Sequence, residues 1–215
     1  NWTETRLIHS TPEAFGAEAA SPFAAVFTHK GNNAVPDLEQ ALQENAMHLE
    51  GSCHCRKVTF SVESAEPVPF MRCYCSICRK TAGAGGYAIN LGAAARTMNV
   101  SGQRHLRIYR ARVANERGTG TRLSTARRYF CAHCGSALWA WDPTWPELVH
   151  PHASAIDTAL PVPPENVHCL VASKAPWVKI EGGPDDPRFE SYPDVSLAEW
   201  HERKGLRSPV AADRS

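Results

Sequence analysis

The sequence predicts a mainly β domain of short antiparallel strands with few, short helices, stapled by bound zinc. Three observations carry this expectation. Seven of the eight cysteines fall into three tight groups, Cys53 with Cys55, then Cys73, Cys75 and Cys78, then Cys131 with Cys134. Runs of strand-forming residues recur between turn signals from His48 onward. Sixteen prolines and fourteen glycines are spread along the chain rather than clustered, as many short strands with tight connections require. At 215 residues the chain has room for one domain of ordinary size plus extensions.

Residues 1–46 carry no cysteine and differ in texture, with an Ala-rich stretch around Phe15 to Val26, so they read as an extension outside the core. A short helix is expected there over 37–47, because Pro36-Asp37 resembles a helix start and Leu38, Ala41 and Leu42 lie on one face. The core domain is expected over 47–195, with strands at 57–62, 86–91, 106–111 and 167–172. A second helix is expected over 196–204: Ser196 stands as the cap, Glu199 three residues on completes a capping box, and Gly205 ends it. Residues 196–215 are thus a short helix followed by a loose tail from Ser208.

Charge excludes some partners. With 23 basic against 22 acidic side chains, the chain as a whole has no strong field for nucleic acid or an anionic membrane. No apolar run reaches the length of a membrane span, and no basic start followed by an apolar core marks a secretory signal. A disulfide framework is the competing reading of the cysteines. Cys-x-Cys and Cys-x-Cys-x-x-Cys hold several sulfurs within one turn of chain, which suits a shared metal better than bridges to distant partners. A reducing compartment follows, most simply the cytoplasm.

Two zinc ions are expected. Cys53 and Cys55 with Cys131 and Cys134 make a closed tetrahedral site with a structural role, tying the opening strands to the later half of the domain. Gly135 is placed for a left-handed turn that brings backbone amides toward the sulfurs. His54 and His133 read as bystanders whose side chains point away. Cys73, Cys75 and Cys78 make a second site with three protein ligands and one open position. Cys169 is the spare thiol: as a fourth ligand it would close that site, whereas Val167, Leu170 and Val171 around it read as a strand in which a lone cysteine is a small buried apolar residue. Three thiolates leave zinc a net negative centre, weak toward water but suited to a thiol, whose proton it would strip. The positioned thiolate would then add to a small carbonyl carbon.

The stretches Gly51-Ser52-Cys53-His54-Cys55, Cys73-Tyr74-Cys75-Ser76-Ile77-Cys78-Arg79-Lys80, Phe130-Cys131-Ala132-His133-Cys134-Gly135-Ser136, Val167-His168, Ser173-Lys174-Ala175-Pro176-Trp177 and Trp200-His201 resemble the glutathione-dependent formaldehyde-activating enzyme family, which includes centromere protein V. The resemblance implies a β-tent fold, a structural zinc on Cys53, Cys55, Cys131 and Cys134, and a catalytic zinc on Cys73, Cys75 and Cys78. It implies a carbon-sulfur lyase reaction joining glutathione and formaldehyde as S-(hydroxymethyl)glutathione. Tyr74 departs from the family, where His is common between the first two cysteines of the triplet.

Other features are weighed beside this. Arg79 and Lys174 are candidate substrate contacts. Between Arg104 and Arg128 lie eight arginines against the single acid Glu116; they form either the wet face of a strand, or a site for an anionic small molecule such as glutathione, or a phosphate-contacting surface. The last option defines the alternative function, a non-enzymatic zinc scaffold binding nucleic acid or protein through 104–128, which the absence of long basic tails disfavours. Gly83, Gly85 and Gly86 read as a bend after the triplet. Trp139, Trp141 and Trp145 read as packing residues, as does Trp177.

Overall fold

The structure, a computed structural model, describes residues 46–115 and 119–208. Among them run the strands β1 (Met47–Ser52), β2 (Thr59–Ser64), β3 (Phe70–Cys73), β4 (Ala88–Asn90), β5 (Ala93–Ala94), β6 (Asn99–Ser101), β7 (Leu106–Tyr109), β8 (Arg112–Ala114), β9 (Thr121–Leu123), β10 (Arg127–Cys131), β11 (Ala137–Trp141), β12 (Leu148–Pro151) and β13 (Asn166–Cys169), with two helices, α1 (Ser76–Ala82) and α2 (Leu197–Arg203). The mainly β class stands. No described helix is long and apolar enough to cross a membrane.

The first sheet, β1-β2-β6, shows alternation in its plainest form. Leu49 and Gly51 of β1 face Val62 and Phe60 of β2, and all four are buried. Gly51 is demanded by close approach: a Cβ there would lie 2.3 Å from the Phe60 ring and 2.5 Å from the Ala155 carbonyl oxygen. The strand expected from residue 57 starts at Thr59 because the preceding residues belong to a metal knuckle, closed by Cys53 N–H donating to the Val58 carbonyl at 3.0 Å.

The second sheet has the order β5-β12-β11-β10-β7. One of its faces carries Tyr129 and Trp139, stacked at 5.0 Å, and Phe60 of the first sheet meets Trp139 edge-on at 5.1 Å. Trp139 is therefore core, as expected, whereas Trp145 and Trp177 are exposed. The opposite face carries Tyr109, Arg128, Ala140 and His150, which are neighbours in register. A third sheet, β13-β3-β4, pairs β13 parallel to β3 and so sets Cys169 beside Cys73, while β4 sets Ala88 on the other side of Cys73. A bridge from Asn90 to His152 joins this sheet to the second, and β8 and β9 form a separate hairpin.

The strands expected over 86–91, 106–111 and 167–172 are shorter than anticipated, at 88–90, 106–109 and 166–169. After Cys169, Leu170 takes a left-handed conformation and a short 3₁₀ turn follows, because the amides of Leu170, Val171 and Ala172 turn to the carbonyls of Ser191, Phe189 and Glu190. The helix expected over 37–47 lies outside the described residues apart from its end, and Met47 opens β1 instead.

Helix α2 is capped as expected, Ser196 Oγ accepting the Glu199 N–H at 3.1 Å, and Gly205 follows with φ 66°. Only half of the capping box forms, because the Glu199 carboxylate accepts from Arg203 at 2.8 Å. The helix docks on the domain. His201 is fully buried and donates from Nε2 to the Val68 carbonyl at 2.6 Å, while Trp200 and Lys204 both donate to Glu165, at 2.8 and 2.6 Å.

Candidate metal centres and active site

Cys53 and Cys55 follow β1, Cys131 ends β10, and Cys134 stands in the turn before β11. Their four sulfurs lie within 4.8 Å of one another. Two of the edges are 3.5 Å (Cys53 to Cys55) and 3.8 Å (Cys55 to Cys131). A tetrahedral ion with bonds of about 2.3 Å to sulfur requires edges of about 3.8 Å, so the donor set fits zinc. Backbone and hydroxyl donors surround it: Val58 N–H reaches Cys53 Sγ at 3.3 Å, His133 N–H reaches Cys131 Sγ at 3.4 Å, and Ser136 Oγ lies 3.2 Å from Cys134 Sγ. Gly135 takes φ 74°, the left-handed turn expected of it. The Ser136 hydroxyl lowers Cys134 to about 5. Cys55 is drawn down by the Lys57 amide, yet desolvation and the thiols of Cys53, Cys134 and Cys131 together push it up to about 12. Charge concentrated on some sulfurs and protons on others is what a bound dication would replace. His54 and His133 are exposed and outside the cluster.

Cys73, Cys75 and Cys78 form the second cluster, also within 4.8 Å. Cys73 ends β3, Cys75 caps α1 by accepting the Cys78 N–H on its sulfur at 3.2 Å, and Cys78 sits in the first turn. The helix was not anticipated from sequence, since a segment of seven residues shows little periodicity. Cys75 carries the negative charge: thiol donation from Cys73, then from Cys78, holds it near 2 against the opposing effect of burial. Cys73 is raised, first by the Cys169 thiol, and Cys78 is raised, first by that of Cys73.

Cys169 is buried in β13 and packs with Cys73, Cys78 and Ala88. Its sulfur points to the Arg72 carbonyl at 3.8 Å, and it is not a member of the close triplet. Tyr74 turns to the opposite side of the strand from its cysteine neighbours. It is buried against Ala175 and Val178, and its hydroxyl lies 2.8 Å from His168 Nδ1. His168 Nε2 in turn stands 3.6 Å from Asp186, which Asn166 holds through two N–H donors. The departure from His at this position therefore changes the packing against Ala175, Val178 and His168.

Arg79, one residue past Cys78, has its Nε buried without a hydrogen-bond partner. Lys174 donates from Nζ to the carbonyls of Ala175 at 3.3 Å and Val178 at 2.7 Å, leaving one of its N–H donors for a ligand. The arginine-rich stretch divides. Arg104, Arg107, Arg110, Arg112 and Arg122 are exposed, Arg127 lies over the Trp141 ring at 5.2 Å, and Arg128 turns inward. Tyr192 was missed by sequence reasoning: desolvation raises its phenol, followed by the sulfurs of Cys73, Cys75, Cys78 and Cys169, which marks it as a neighbour of the triplet although the residue is 72 % exposed.

Residues 48–172 match the model of the glutathione-dependent formaldehyde-activating enzyme family. A Halomonas elongata protein named "Putative glutathione-dependent formaldehyde-activating enzyme" is 56 % identical over 160 residues, 74 % of this chain and 98 % of that protein. A crystal structure of a Rhodobacter sphaeroides protein aligns at 27 % identity with a TM-score of 0.41, covering 52 % of this chain and 91 % of that one. With the motifs in place and more than half of its length matched, the chain belongs to the glutathione-dependent formaldehyde-activating enzyme family.

Proposed function

We propose that the protein is a zinc-dependent carbon-sulfur lyase or synthase in which Cys73, Cys75 and Cys78 hold a reactive ion and Cys53, Cys55, Cys131 and Cys134 hold a structural one. The observation that carries this reading is the contrast between the clusters: four mutually close sulfurs in one, three in the other, with Cys169 beside the triplet but outside it. A zinc ion bound there supplies a lowered pKa to a thiol entering its remaining position. Everything else falls to the chain. Cys75 anchors the cluster to the start of α1 as its cap, and β3 fixes Cys73 between β13 and β4.

Glutathione is the favoured thiol and formaldehyde the favoured partner. The reaction is an addition without redox change: the sulfur forms a bond to the carbonyl carbon, the C=O π pair moves to oxygen, and that oxygen takes up the proton the thiol gave. The reverse sequence breaks the carbon-sulfur bond. Arg79, one residue past Cys78 and with an unpartnered Nε, would stabilise a developing alkoxide or a substrate carboxylate, and Lys174 would be a second contact through its remaining donor. Cysteines grouped to share metal ions rather than to form bridges support a reducing compartment such as the cytoplasm.

Cobalt substitution tests the reading. Glutathione should change the thiolate charge-transfer band of the cobalt protein, and Cys75→Ser should abolish both that change and turnover while the four-cysteine site keeps its metal. Full turnover with normal metal content in Cys75→Ser would refute the assignment, as would a cobalt spectrum indifferent to every thiol.

A further inference from the structure

A cavity of about 340 Å³ lies against the second sheet, lined by Thr81, Tyr109, Arg128, Phe130, Gly135 and His152 among others. Its size is at the lower end of small-molecule sites. Its position connects it with the three-cysteine cluster by two routes. Thr81 stands three residues beyond Cys78 on α1, nearly one turn along the same helix. Asn90, which holds His152, stands two residues from Ala88 on the same face of β4, and Ala88 packs on Cys73.

In this largely apolar space Arg128 has a buried nitrogen without a partner, and His152 engages one of its two ring nitrogens. Arg128 Nη1 is buried with no hydrogen-bond partner. Asp142, the acid that senses its charge, is instead occupied by Thr125 and Thr144. A buried guanidinium N–H left unpaired is costly and takes up an anion readily. His152 is 3 % exposed, and its Nδ1 lies 3.0 Å from Asn90 Oδ1. The amide oxygen can only accept, so Nδ1 carries the proton and Nε2 of the neutral ring is a bare acceptor. A carboxylate at Arg128 and a hydrogen-bond donor at His152 would satisfy both.

We propose that this cavity is the recognition site for the non-sulfur end of the thiol substrate, with Arg128 taking a carboxylate and His152 Nε2 accepting an N–H from the same molecule. The inference rests on the glutathione reading above and adds to it the residues that would read the glycine end of the molecule, where a carboxylate neighbours an amide N–H. Desolvation and the charge of Arg128 hold the ring neutral at ordinary pH, which keeps its acceptor role intact. A simple alkyl thiol offers neither group and should bind at the metal alone.

The test is calorimetric titration of the zinc-loaded full chain with S-methylglutathione, whose blocked sulfur has no proton to lose. Wild-type protein should bind it measurably. Arg128→Met should weaken binding at least tenfold with unchanged zinc content and circular dichroism, and Arg128→Lys should fall between. The analogue with its glycine carboxylate converted to an amide should bind weakly to wild type and lose nothing further in Arg128→Met. Equal affinities in wild type and Arg128→Met, equal affinities for acid and amide, or no binding to wild type at millimolar concentration would each overturn the proposal. A silent cobalt titration alongside intact, Arg128-dependent binding would refute the metal reading and leave this one standing; the converse result would do the opposite.

Discussion

His152 should make the protein acid-sensitive in a defined window. Desolvation, followed by the charges of Arg128 and His150, holds its imidazole at about 4, against 6.5 for the free side chain. The unfolded chain therefore binds a proton on this residue between those values and the native protein does not. Stability from this source is fully present above about pH 6.5 and is lost as pH falls toward 4. The whole window is worth about 3 kcal/mol, and integration to pH 5 gives about 2 kcal/mol. His152 is only 3 % exposed, so solvent screening does not reduce the figure. The assay compares urea unfolding of wild type and His152→Asn at pH 7.5 and pH 5.0 with free zinc held constant. Asparagine has no titration in the range and can still donate to Asn90. Protonation of the cysteine clusters and of the histidines other than its neighbour His150 is common to both proteins and cancels. Wild type should lose about 2 kcal/mol more than the variant between the two pH values. Parallel losses, or a His152 resonance that titrates near 6.5, would refute the reasoning.

Gly51→Ala should cost about 1–3 kcal/mol or more, because the new methyl meets both the Phe60 ring, which is fixed against Trp139, and a backbone oxygen at Ala155; an unchanged thermal midpoint would contradict the contact. Ser196→Ala should cost about 0.5–2 kcal/mol through the lost cap on α2. Hydrogen exchange should report this as faster exchange at Trp200 and Lys204, whose amides bond within that helix, and unaltered protection there would show that docking through His201 and Glu165 holds the helix without its cap.

The metal ligands were legible in the sequence because their signal is local. Cys-x-Cys and Cys-x-x-Cys bring sulfurs together whatever the rest of the chain does, and the one long-range step, joining Cys55 to Cys131, follows from the need to complete a tetrahedron. The capped helix after Ser196 was legible for the same reason. What stayed hidden depends on register. The parallel pairing of β13 with β3 puts Cys169 beside Cys73, and no spacing rule announces a pairing across that distance. Tyr74 could be seen to differ from what the family commonly carries, but only the folded chain between the end of β3 and the cap of α1 shows that it looks toward His168, which stands beside Asp186.

Arg128 is the sharper case. Within the arginine-rich stretch nothing in composition separates it from its neighbour Arg127, yet one residue of alternation sends Arg127 to the face of Trp141 and Arg128 to the face of Tyr109 and His150. Directly after Tyr129 the β10-β11 register shifts, so the parity of Phe130 and the Cys131 knuckle could not be counted back from the metal site to identify which arginine points inward. The metal knuckle and Arg128 are therefore carried on one strand with an irregularity between them. This lets the four-cysteine site hold the end of β10 in place while Arg128, three residues earlier, is presented on the side toward α1 and the three-cysteine cluster. The knuckle also borders the cavity through Gly135, so a structural ion that fixes the end of β10 and the turn after it would affect substrate affinity without touching the substrate.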